Sequence, residues 1–261
     1  MMKLCFMTFS CPDWGLNEVL TAAIKYGYEA VEPRSEANHQ HGLELETTKK
    51  ERKQIKASFE DTAIECACIA TSRNYAMAQE ADRKESIERT KRYIDLAHDL
   101  GCEHLRVFGG QTPDELEFED AKKHVAESLA ACAEHAGQAG VYLCLETHDA
   151  YSRSADAAEV VKMADHANVA INWDIMHPFR LGESIAESFE NVKDHVRHCH
   201  VHDGTAPVDG GSGGWELAPM GQGDIPHDEA FDLLAGIGYE GALSGEWINW
   251  DPADEALPRE A

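Results

Sequence analysis

Eight short apolar runs punctuate the chain, at residues 3–9, 30–32, 64–70, 104–108, 141–146, 169–174, 197–202 and 242–247. Each is the length of a strand. The stretches between them repeat apolar residues at helical spacing, for example over 16–26, 84–100, 116–139, 155–167 and 228–235. Several end on a glycine just before the next run, as at Gly27, Gly101, Gly140 and Gly238. Glycine at a helix C-terminus followed by a strand is the punctuation of α/β units. Eight such units in this length predict a single-domain (β/α)8 TIM barrel over residues 1–261, with a peripheral acidic tail after about residue 251. A doubly wound sheet is the alternative, but no G-x-G-x-x-G follows the first run.

Within the last four runs the alternation has a fixed sense. Leu143 and Leu145 oppose Cys144 and Glu146; Ile171 and Trp173 oppose Asn172 and Asp174. Cys199 and Val201 oppose His198, His200 and His202, and Leu243 opposes Ser244 and Glu246. Side chains alternate along a strand, so each run offers an apolar face to helices and a polar face to the barrel interior. Glu146, Asp174, His200 and Glu246 then meet at the C-terminal ends of four strands, although gaps of 28, 26 and 46 residues separate them. Three carboxylates so close cannot all stay ionised without a neutralising charge. A divalent cation supplies it, and oxygen-rich ligation with one imidazole suits Mn²⁺ or Mg²⁺, with Co²⁺ or Zn²⁺ as alternatives.

Other polar residues surround this set. His177 follows Asp174 by three residues and His148 follows Glu146 by two, so both are candidates for substrate contact. Glu32 ends the second run with inward potential toward substrate hydroxyls. Arg106 and Arg73 are candidates to anchor an anion or to pair with acids. His198 reads as a satisfied core residue, and His202 and Asp203 as groups bonded around the ligands. The long Gly-rich stretch 209–223 follows the seventh run, on the face where barrel active sites form.

Composition narrows the partners. There are 48 acidic residues against 23 Lys and Arg, for a formal net charge of −25. That field repels phosphate backbones and anionic membranes, which excludes nucleic acid as the expected partner. No stretch approaches the ~20 apolar residues of a membrane span. The N-terminal apolar run is too short for a signal peptide, so a cytoplasmic location is expected. The eight cysteines are scattered without C-x-x-C and read as buried small hydrophobes. A homo-oligomer is compatible with the sequence.

The motifs Gly27-Tyr-Glu-Ala-Val-Glu32, Leu145-Glu-Thr-His148, Asp174-Ile-Met-His177, His198-Cys-His-Val-His-Asp203, Met220-Gly-Gln-Gly-Asp-Ile225 and Gly238-Tyr-Glu-Gly-Ala-Leu-Ser-Gly-Glu246 occur in this order. On these the chain resembles the xylose-isomerase-like barrel superfamily, in particular its sugar phosphate isomerase/epimerase group, which shares its domain with apurinic endonuclease family 2. The resemblance implies that Glu146, Asp174, His200 and Glu246 bind one divalent metal. It also implies that Glu146 and Glu246 double as the acid/base pair, and that His177 contacts a substrate oxygen. The implied activity is isomerisation or epimerisation of a sugar, sugar phosphate or keto-polyol by proton transfer through an enediolate. A dehydratase using the same site is the alternative; an apurinic endonuclease or a non-catalytic binding barrel fits less well. Ala206 and Ser152 stand where ketose 3-epimerases of the group carry Arg and Glu.

Overall fold

A computed structural model describes residues 1–208, 211, 214–247 and 253–261. Nine strands form one parallel sheet wrapped into a nearly closed barrel: β1 (Lys3–Met7), β2 (Ala30–Glu32), β3 (Glu65–Cys66), β4 (Ile69–Ala70), β5 (His104–Val107), β6 (Tyr142–Glu146), β7 (Val169–Asp174), β8 (Val196–Val201) and β11 (Ala242–Gly245). Their order around the wall is β3-β2-β1-β11-β8-β7-β6-β5-β4. This is the (β/α)8 TIM barrel that the alternating pattern predicts.

The third expected strand, 64–70, is split. Glu65 and Cys66 pair with β2, whereas Ile69 and Ala70 pair with β5. Ala67 joins Cys5, Ala30 and Ala242 in a small apolar cluster, and the Cys68 sulfur lies within 4.8 Å of ligand atoms of Glu32 and His198. Two consecutive residues therefore face the interior, which breaks the period of two and ends regular pairing.

The outward faces behave as the alternation requires. Leu143, Leu145, Ile171 and Trp173 are fully buried. Each contributes about 1.5–3 kcal/mol by leaving water. The Trp173 indole also donates to Ser188 Oγ at 2.9 Å. Ser188 belongs to α7 (Ile185–Val192), which the hydrophobic pattern leaves unnamed, as it does α2 (Lys49–Thr62). Both carry capping boxes, Ser184 with Glu187 and Thr48 with Glu51. That start signal stands in the sequence even where, as in α2, Phe59 is the one buried residue and the apolar stripe is too thin to see.

All eight cysteines are buried with free thiols. The expectation of a peripheral tail is corrected for its described part; Asp251 and Pro252 lie outside the described residues. The helix Ala253–Glu260 buries Ala256 and Leu257. The Tyr28 hydroxyl donates to Leu257 O at 3.0 Å, and Glu260 accepts from Met220 N at 2.9 Å. An acidic composition hid a two-residue apolar anchor. Among the described residues, no helix is long and apolar enough to cross a membrane.

Part of the expected irregular stretch 209–223 is regular. Glu216–Ala218 (β10) pairs antiparallel with Asp203–Thr205 (β9). Asp209, Gly210, Ser212 and Gly213 lie outside the described residues. Asp203 fastens the far end of the stretch: its carboxylate accepts from Gly221 N and Gly223 N at 2.9 Å and Ile225 N at 3.3 Å. A Cβ at residue 223 would sit 2.2 Å from Asp203 Oδ1, so only glycine lets the backbone come this close.

Candidate metal and active site

Glu146, Asp174 and His200 project from the ends of β6, β7 and β8, and Glu246 follows β11 directly. Their ligand atoms all lie within 4.8 Å of one another, and all four residues are buried. Backbone and side-chain bonds fix each one. Asp174 N donates to Thr147 Oγ1 at 2.9 Å while the Thr147 hydroxyl donates to Asp174 O at 3.0 Å, which locks the ends of β6 and β7 together. Asp174 Oδ1 accepts from Met176 N and His177 N at 3.0 and 3.2 Å, opening the short helix α6 (Met176–Arg180) as a cap does. Glu246 N donates to Val201 O at 3.0 Å, which extends the β11–β8 ladder by one residue. On either side of it, Gly245 admits the ring of Trp247, which would stand 2.0 Å from any Cβ there.

The charges are arranged unevenly. Burial pushes the Glu146 carboxyl up, but the Arg106 guanidinium, with Nε 3.0 Å from Oε2, and the His200 ring bring it down to about 2. Burial likewise acts against ionisation of Asp174, and His177 and His202 more than offset it. His202 Nε2 lies 3.0 Å from Asp174 Oδ2 and His177 Nε2 lies 3.5 Å from it. Glu246 goes the other way: burial and the charge of Glu146 raise it, against the pull of His200. Four buried carboxylates, Glu32, Glu146, Asp174 and Glu246, face two buried guanidiniums, Arg34 and Arg106. A divalent cation would help to balance them. The oxygens Glu146 Oε2 and Asp174 Oδ2 are buried and, although Arg106 and His202 lie 3.0 Å away, accept no aligned hydrogen bond, which leaves lone pairs for an ion. The donor set fits such an ion.

Arg106, read as an anion anchor or an acid partner, takes the second role. Besides Glu146 it donates to Thr71 O at 2.6 Å, and it is 1% exposed. Arg73 likewise pairs with Glu36 at 2.7 Å. Glu32, expected to reach substrate hydroxyls, is instead shut inside the barrel beneath His200. Its carboxylate meets His198 Nε2 at 2.8 Å and His200 Nε2 at 3.1 Å. His200 Nδ1 faces the cluster, 3.4 Å from Glu146 and from Glu246. With the proton on Nε2 held by Glu32, the Nδ1 lone pair points at the carboxylates, the tautomer a metal ligand needs. Glu32→Gln is expected to weaken divalent-metal binding about 10–100-fold, read by Co²⁺ titration of the visible spectrum. Equal affinity in the two proteins would remove this role.

His148 and His177 stack edge to face at 4.5 Å, with Phe108 4.8 Å from His148 and His202 5.5 Å from His177. These rings form a wall beside the carboxylates. Asn172 was visible as an inward residue but had no assigned part; its amide lies 3.1 Å from both nitrogens of His200.

The model of the xylose isomerase-like TIM barrel family matches residues 20–261. The chain belongs to this family. Among its relatives, a 3-dehydroshikimate dehydratase of Bacillus anthracis is 24% identical over 201 residues, covering 76% of this chain and 70% of its own length. A putative L-ribulose-5-phosphate 3-epimerase, SgbU, of Escherichia coli is 25% identical over 241 residues, covering 88% and 83%. Of solved structures, that of the IolI protein with a bound zinc atom superposes with a TM-score of 0.84 at 21% identity, covering 99% of this chain and 95% of that one. The last comparison concerns the fold alone.

Proposed function

We propose that this barrel is a divalent-metal-dependent isomerase or epimerase of a small sugar-like carbonyl compound. The observation that carries the reading is the convergence of Glu146, Asp174, His200 and Glu246 within 4.8 Å at the barrel mouth. These four would hold the cation, which when bound supplies Lewis-acid polarisation of a substrate carbonyl. Glu246 would accept the proton on the carbon beside that carbonyl, since Glu146 is the one of the two held by a guanidinium. Glu146, kept ionised by Arg106, stands across the mouth as its partner in returning a proton. His177 is 5% exposed on the rim and orients a substrate oxygen, while the wall of His148, Phe108 and His202 keeps water from the reacting carbon.

A second reading shares the first step. If the carbon next to the reacting one loses its hydroxyl instead of a proton returning, the enzyme is a dehydratase. Ser152, where ketose 3-epimerases carry Glu, favours it, as does the dehydratase among the relatives. Incubation with a panel of ketoses, aldoses and cyclic hydroxyketones in D₂O, with Mn²⁺ or Mg²⁺, tests both. Deuterium at carbon without new ultraviolet absorbance is the expected result for isomerisation or epimerisation. A rising conjugated-ketone band marks dehydration. Stoichiometric metal binding with neither signal on any compound would leave only a binding protein.

A further inference from the structure

Beside the carboxylate cluster lies a second cavity of about 480 Å³. His202, whose Nε2 touches Asp174, forms one side of it, and Ser152, Met176, Arg180 and Trp215 contribute others. Arg180 is the one Lys or Arg among the described residues that line it. It ends α6, the helix that Asp174 opens, and lies three residues after His177. Residues three apart on a helix share a side, so Arg180 lies on the side of α6 that bears His177, whose Nε2 is 3.5 Å from Asp174 Oδ2.

Six of the eleven arginines lie against a carboxylate: Arg52 on Asp99, Arg73 and Arg89 on Glu36, Arg106 on Glu146, Arg153 on Glu183 and Arg259 on Glu260. Arg180 has no hydrogen bond or ion pair with any described residue. The acid in the lining, Asp149, is already engaged by His148 Nδ1 at 3.1 Å and by Gln111 Nε2 at 3.0 Å. Ser152 turns its hydroxyl onto Asp149 O at 2.9 Å.

We infer that this cavity is an anion subsite, in which the Arg180 guanidinium takes a carboxylate or phosphate group of the substrate while its carbonyl end meets the cluster. The inference rests on the proposed proton-transfer function and narrows the substrate to an anionic polyhydroxylated carbonyl compound. In a chain of net charge −25 the surrounding field repels anions, so an anionic substrate needs a local cation such as this one. A guanidinium suits either group, since its fork binds two oxygens at once.

Calorimetric titration of the full chain in Mg²⁺ at low ionic strength tests it, with D-glycerate, inorganic phosphate and uncharged glycerol as probes. The wild type is expected to bind at least one anion more than tenfold tighter than glycerol. Arg180→Gln should lose about tenfold of that affinity, and Arg180→Lys should keep part of it. Preference for glycerate marks a carboxylate site, and preference for phosphate a phosphate site. Anion affinity equal in wild type and Arg180→Gln overturns the subsite, whatever the deuterium assay gives. Arg180-dependent anion binding without deuterium exchange on any compound supports the subsite and sinks the proton-transfer reading instead.

Discussion

Glu246→Gln is expected to lower kcat by at least about a thousandfold on any compound that exchanges deuterium, with the fold retained. The amide keeps the shape of the side chain, and the Glu246 N to Val201 O bond is untouched. What it loses is the oxygen that accepts a proton and one ligand charge. The same change should leave the thermal midpoint in a chelator no lower than wild type. Burial and the neighbouring Glu146 charge already favour an uncharged group at this position, so a neutral amide relieves repulsion. Turnover within a few-fold of wild type would end the assignment of Glu246 as the proton carrier. A large fall in midpoint would mean that the loss of activity reports unfolding.

The second large effect is on stability. Arg106→Met, studied in a chelator, is expected to cost about 3–5 kcal/mol in urea denaturation. Arg106 and Glu146 are each 1% exposed, so removing the guanidinium leaves a carboxylate buried without its main counter-charge. Thr71 O would also lose its donor at 2.6 Å. Pairing Arg106→Met with Glu146→Gln should recover much of the loss, because the stranded charge is gone. A single-variant cost below about 1 kcal/mol, or a double variant no better than the single, would show that Glu146 draws its compensation from elsewhere.

The fold and the central cluster were legible because both rest on short-range rules. Strand alternation put Glu146, Asp174, His200 and Glu246 on one face before any contact was known, and the barrel turned one face into one point. Glu32 was harder. Its parity gave its side of the sheet correctly but not its depth, and depth separates a substrate contact from a carboxylate sealed under His200. Arg106 was ambiguous for a similar reason: whether a cation is free or paired depends on a neighbour 40 residues away. Arg180 has no clear signal in the sequence, although Asp174, His177 and Arg180 stand three apart, because a five-residue helix leaves too little periodicity. The break between β3 and β4 was invisible too, since Ala67 and Cys68 are both small enough to face inward in succession.

Asp203 has a consequence for how this barrel can diversify. By gripping the backbone at Gly221, Gly223 and Ile225, it returns the chain to the wall within two residues of His202, whatever lies between. The stretch that bears Trp215 is thus a cassette clipped at both ends. Its length and side chains are free to drift while the four strand-end groups stay in register. On the proposed function, the wall beside the site can then change without moving the groups that would do the chemistry.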